Sequence, residues 1–203
     1  YLLADLVRQK RLSQLKIYVD SPMANTATRI TLDHPELLDD ETRELIAWVR
    51  AHPEKVKIEF VADVERSKAL NEIRSNAVII SASGMCEGGR IRHHLRYNLP
   101  RPECAVVFVG FQAAGTRGRL LSEGADELKI HGQYVPVRAR VVQIQGLSAH
   151  ADYAELIDWL RKSGTAPRRA FVTHGEPAAA DAFRRRLRDE LSWNAVVPTD
   201  GSS

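Results

Sequence analysis

The sequence predicts an α/β protein of two units, the first built on a mostly parallel sheet between helices. Three observations lead there. Short apolar stretches alternate with helical stretches over residues 1–125. Several of those stretches, NAVIISA and AVVFVG among them, are apolar on both faces, as strands covered on both sides are. From Glu127 the pattern turns to apolar–polar alternation, before helix and strand alternate once more.

Each element follows in order. Residues 1–11, YLLADLVRQKR, place apolar side chains at helical spacing. KIYVD (16–20) reads as a short buried strand. SPMANTATRITL then offers Ser21 as N-cap and Pro22 at the first helical position. DETRELIAWVR (40–50) is a helix, KIEFVA (57–62) a strand, and ERSKALNEIRS (65–75) a helix. NAVIISA (76–82) is a strand. The glycine-rich turn SGMCEGGR follows it, then a helix through Leu99, and AVVFVG (105–110) is a strand again. ELKIHG and QYVPVRARVVQIQ alternate in the way of antiparallel strands with one wet face. The chain closes with ADYAELIDWLRK, RRAFVTH, PAAADAFRRRLRDEL and NAVVP as helix, strand, helix and strand. The change in texture puts a boundary near Gly146, giving units 1–146 and 147–203.

Composition narrows the class. The chain has 203 residues, 44% hydrophobic and 27% charged, the balance of a soluble globular protein with enough length to bury a core in each unit. No apolar run is long enough to cross a bilayer. It opens at Tyr1 inside a helical pattern, without Met, and is read as part of something longer. Cys86 and Cys104 match no zinc or disulfide framework. They read as reduced thiols, which places the protein in the cytoplasm. The net charge of +3 points only weakly to an anionic partner.

Three places could carry chemistry. In SASGMCEGGR (81–90), glycines would let the backbone approach a ligand. The following helix would offer free N–H groups to an anion, with Arg90, Arg92, His93, His94 and Arg96 nearby. The plain alternative is a tight turn that needs glycine. DSPMA (20–24) is a second strand end running into a helix, where α/β ligands gather, although Ser21 can equally be a cap and nothing more. The third place is a pair of histidines. His150 in GLSAHADY precedes a helix with Ser148 and Asp152 as available caps, and His174 in VTHGEP ends a strand. Imidazole ligates zinc and moves protons near pH 7, but zinc takes about four ligands and the pair supplies two. His34, His52 and His131 stand in turns or loops with no partner at metal-ligand spacing. On spacing alone, two surface histidines is the plainer reading.

DSPMA, SASGMCEGGRIRHHLRYNL, VVFVGFQAAGTRGRLL, SAHADY and THGEP together resemble the β-CASP branch of the metallo-β-lactamase superfamily. This is the family of the cleavage and polyadenylation factor nuclease subunit, its bacterial and archaeal relatives, and ribonuclease J. The resemblance runs in order through nearly the whole chain.

It implies a β-CASP domain inserted into, and capping, a metallo-β-lactamase αββα domain that carries two zinc ions. Only the C-terminal part of that domain, residues 147–203, would be present here. His150 matches the family's motif B histidine, the general acid, with Ser148 beside it at the substrate. His174 matches motif C, a ligand of one zinc, and histidine there goes with RNA rather than DNA as substrate. Asp20 and Ser21, together with Ser83, Gly84, Met85 and Arg90, would line the β-CASP side of the cleft and bind substrate. The family's HxHxDH zinc signature is absent. The expectation is therefore part of a zinc-dependent ribonuclease, inactive alone. A non-catalytic RNA-binding or scaffold relative is the alternative. An incomplete layer would leave an apolar face and a sheet edge to be covered by self-association, for instance as a homodimer.

Overall fold

β1 (Leu15–Asp20) is the strand about which the first unit is organised. From Ile17 to Asp20 every residue is buried, on both faces of the strand. That requires a neighbour on each edge and cover above and below. The computed structural model supplies both and describes residues 1–147 and 150–199. β2 (Val56–Phe60) and β3 (Ala77–Ser81) flank β1, both parallel, with Ile17 opposite Ile58 and Val78. On one face Ile17 and Val19 pack with Ala4 and Val7 of α1 (Leu2–Arg8) and Leu45 of α3 (Asp40–Ala51). On the other, Tyr18 packs with Val61 and Leu70.

The helices between these strands begin where their sequences cap them. Ser21 accepts from the Ala24 N–H with Pro22 opening α2 (Pro22–Asp33). Asp39 accepts from Thr42 at α3, and Asp63 from Arg66 at α4 (Val64–Ala69). Each such cap contributes about 1 kcal/mol. The helix expected over 65–75 divides: α4 stops at Ala69 and a single 3-10 turn, Leu70–Glu72, follows.

A second core gathers around α5 (Ile91–Asn98), which brings Leu95, and around β4 (Ala105–Phe108), which brings Phe108. α6 (Arg117–Ser122) adds Leu121, and the hairpin of β5 (Glu127–Ile130) and β6 (Gln133–Pro136) adds Leu128, Ile130 and Val135. The alternating stretch was expected to be antiparallel throughout. β5 and β6 are, but β7 (Arg140–Gln143) leaves the hairpin and pairs parallel with β4, Ala105 opposite Arg140. The pull is burial: Val106 and Val141 both pack against this core, and the Ile144 N–H reaches the Phe108 carbonyl at 2.8 Å.

The chain divides into compact units at Tyr1–Ile144 and Gln145–Ser203. The second holds α7 (Tyr153–Arg161), β8 (Ala170–Phe171), α8 (Pro177–Leu191) and β9 (Ala195–Val196), with β8 and β9 parallel. Ile157, Ala180 and Leu187 are buried there. Among the described residues no helix is long and apolar enough to cross a membrane.

Candidate functional site

The carboxyl ends of β1 and β3 lie side by side, Asp20 opposite Ser81, so both glycine-free strand ends open onto the turn that follows β3. That turn, residues 82–90, closes on itself. Ser83 Oγ accepts from the Gly88 N–H at 3.2 Å, and the Ile91 N–H reaches the Ala82 carbonyl at 3.2 Å. Gly89 has φ +75°, and a Cβ there would collide with the Ala82 carbonyl, so only glycine lets the chain fold back. Gly84 faces open space and is exposed. Met85, half-buried, anchors the turn elsewhere: its Sδ accepts from the Ala113 N–H at 3.3 Å and its carbonyl from the Gly118 N–H at 3.0 Å.

Asp20 and Ser21, expected at the substrate, are both enclosed. Asp20 has no exposed surface. Its Oδ2 takes a 2.6 Å bond from the Ser67 hydroxyl and lies 2.6 Å from His94 Nε2, while its Oδ1 lies 2.5 Å from Arg90 Nη1. Burial pushes the Asp20 carboxyl up. The hydrogen bonds from Ser67, His94 and Arg90 outweigh that and hold it below its ordinary value. Arg90 is engaged by this chain: besides Asp20 it donates to the carbonyls of Val61 at 3.2 Å and Ala62 at 2.8 Å. His94 Nδ1 in turn meets Asn71 Oδ1 at 3.0 Å.

Ser67 and Asn71 carry no sequence signal, because their partners are more than twenty residues away. His94 reads from the sequence as part of the basic stretch after the turn, beside Arg90, but as a neighbour of an anion and not as a partner of Asp20.

In the second unit, Asp152 is the N-cap of α7. It accepts from the Ala154 and Glu155 N–H groups while Glu155 returns a bond to the Asp152 N–H, a capping box. His150 is exposed just before it, and Ser148 lies outside the described residues. His174 is exposed in the turn after β8, with φ +68°, and Gly175 follows at +82°. A depression of about 550 Å³ is lined by Ala151, Glu155, Leu156 and Trp159. Among the described residues no group of three or more His, Cys, Asp or Glu side chains could hold a metal. Zinc takes about four such ligands, so the residues described do not make a zinc site on their own.

The Beta-Casp domain model matches residues 1–121, more than half the chain and most of the first unit. The chain belongs to the β-CASP branch of the metallo-β-lactamase superfamily. A second model, the Zn-dependent metallo-hydrolase RNA specificity domain, matches residues 134–198. It begins in the β5–β6 hairpin, ahead of the point where the compact units divide.

Relatives of this β-CASP chain agree with both models. Ribonuclease TTHA0252 of Thermus thermophilus is 38% identical over 82% of this chain. An RNase J-like protein of Methanocaldococcus jannaschii is 28% identical over 99% of it. The transcription termination factor FttA of the same archaeon is 31% identical over 90%. The chain spans 38%, 45% and 30% of those three proteins' lengths.

Proposed function

We propose that this chain is part of a zinc-dependent ribonuclease that hydrolyses RNA phosphodiester bonds in the cytoplasm, and that the chain alone is inactive. Residues 1–146 would be its β-CASP domain and 147–203 the C-terminal part of its catalytic domain. The observation that carries the reading is the match of residues 134–198, His174 among them, to the Zn-dependent metallo-hydrolase RNA specificity domain. His174 is exposed there, one of six described non-glycine residues at positive φ.

In this reading His174 is one of the ligands of the zinc pair, and the rest come from residues outside this chain. His150 gives a proton to the leaving oxygen as the phosphodiester breaks, and Ser148 stands beside it at the substrate. On the β-CASP side, Ser83, Gly84 and Met85 present the turn to RNA. Asp20, Ser21 and Arg90 fix its position from within. The chain self-associates through apolar side chains left exposed on the second unit.

The test uses the full-length protein. His174→Ala lowers its zinc content. His150→Ala leaves zinc bound and slows RNA cleavage about 10²- to 10⁴-fold, the usual contribution of a general acid. Cleavage by His150→Ala at the parent's rate, or two zinc ions retained by His174→Ala, overturns the assignment. A full-length protein that binds RNA and cuts none would instead be a non-catalytic relative.

A further inference from the structure

α5 serves two neighbours. Arg90, just before it, and His94 turn inward to Asp20. Arg92, His93 and Arg96 turn toward the β5–β6 hairpin. There, Arg92 Nη2 lies 3.4 Å from His131 Nδ1, His93 stacks on His131 with ring centroids 4.6 Å apart, and Arg96 donates to Gln133 Oε1 at 2.8 Å. Arg117, opening α6, joins them by donating to the Lys129 carbonyl at 2.8 Å. Lys129 stands 5.7 Å from the ring of Tyr134, which is 65% exposed.

Charge on this face is unbalanced. Arg117 pairs with Glu87. Arg92, Arg96 and Lys129 have no ion pair among the described residues, and the buried Nε of Arg92 has no hydrogen-bond partner among them. Burial, and after it the charges of Arg92, His93, Arg96 and Arg117, hold the His131 imidazole below its usual value. The residue also sits at a backbone cost. His131 and Gly132 form the two-residue hairpin turn at φ +47° and +79°, a turn that asparagine–glycine fills most easily.

We propose that this face is a second nucleic-acid contact: Arg92, Arg96 and His131 bind the phosphodiester backbone of single-stranded RNA, and Tyr134 stacks a base. Basic grooves with interleaved aromatics bind single strands in this way. The proposal rests on the reading that the protein acts on RNA, but concerns a surface apart from the Asp20–Arg90 turn.

The experiment measures fluorescence anisotropy of a labelled oligouridine with this chain across a salt series. His131→Asn keeps the hairpin turn while removing the imidazole. Combined with Arg96→Gln it makes the slope of log affinity against log salt shallower by about 0.7–1.4, one to two phosphate contacts. Tyr134→Ala weakens binding at least about fivefold, the loss of one stacked base. On the unaltered chain, oligouridine shifts the ring proton resonances of His93 and His131, and inorganic phosphate at the same concentration does not. An absence of RNA binding at low salt, slopes and affinities equal to the parent's, or equal shifts with inorganic phosphate would each overturn the proposal. Loss of the nuclease reading is seen separately, as a full-length protein that cuts no RNA while these slopes stand.

Discussion

His94 Nε2 lies 2.6 Å from Asp20 Oδ2, across 74 residues of sequence and with both side chains inside the protein. Together with Arg90 on the other carboxylate oxygen, this joins the end of β1 to the turn after β3 and the first turns of α5. A buried carboxylate is tolerated only when such partners surround it. The turn's position is therefore set by a charge network, and removing its centre should loosen the turn as well as the core.

Asp20→Asn should lower stability at pH 7 by about 3–5 kcal/mol, the usual effect of breaking a buried pair. The folded protein holds this carboxyl below its ordinary value. Its stabilisation is thus fully present above the unfolded value and is lost as pH falls through the lower folded one. Urea unfolding of both proteins between pH 7 and pH 2 checks this. The gap between them should close on the acid side. Equal midpoints at pH 7 would show that the network does not hold the fold.

The turn glycines should differ sharply. Gly89→Ala must enter a left-handed conformation and meet the Ala82 carbonyl, with Ser83 N 3.2 Å away, so it should cost about 1–3 kcal/mol. Gly84→Ala meets nothing within 4 Å and should stay within about 0.5 kcal/mol of the parent. Thermal melts of the two variants decide the matter; similar losses in both would mean that the turn is not built as described.

Cys86 is 2% exposed, and burial pushes its thiol up to about 11. The thiolate is the reactive form, so Cys86 should resist alkylation at pH 8 until the protein unfolds. Cys104, half-buried with its Sγ 3.8 Å from Asn98 Oδ1, should react first. Mass spectrometry of iodoacetamide-treated native protein reads out the order. Rapid labelling of Cys86 in the native protein would contradict its placement.

Trp159 is 70% exposed on α7, one turn from Leu156, and Phe171 of β8 is 59% exposed. Association is favoured where such side chains form one contiguous apolar patch. Light scattering should show a mass that rises with concentration, and Trp159→Glu should return it toward the monomer. A concentration-independent monomer would remove the proposed self-association.

What the sequence determined alone was local. Ser21 with Pro22 marks its helix start, and Asp152 is one of two caps available to its own, because a cap and the N–H groups it serves lie within three residues. The two-sided apolar run of β1 announces a parallel, covered strand in the same way. Tertiary structure decided what depends on distant partners. β7 alternates as an antiparallel strand would, and nothing nearby says that it pairs with β4. Arg90 and Arg92 both read as cations on one basic helix. One ends on a buried aspartate 70 residues back and the other beside a histidine 39 residues ahead. Side-chain direction around a helix follows from spacing, but the group it meets is set by which strands the core brings alongside, and that free energy is shared over the whole chain.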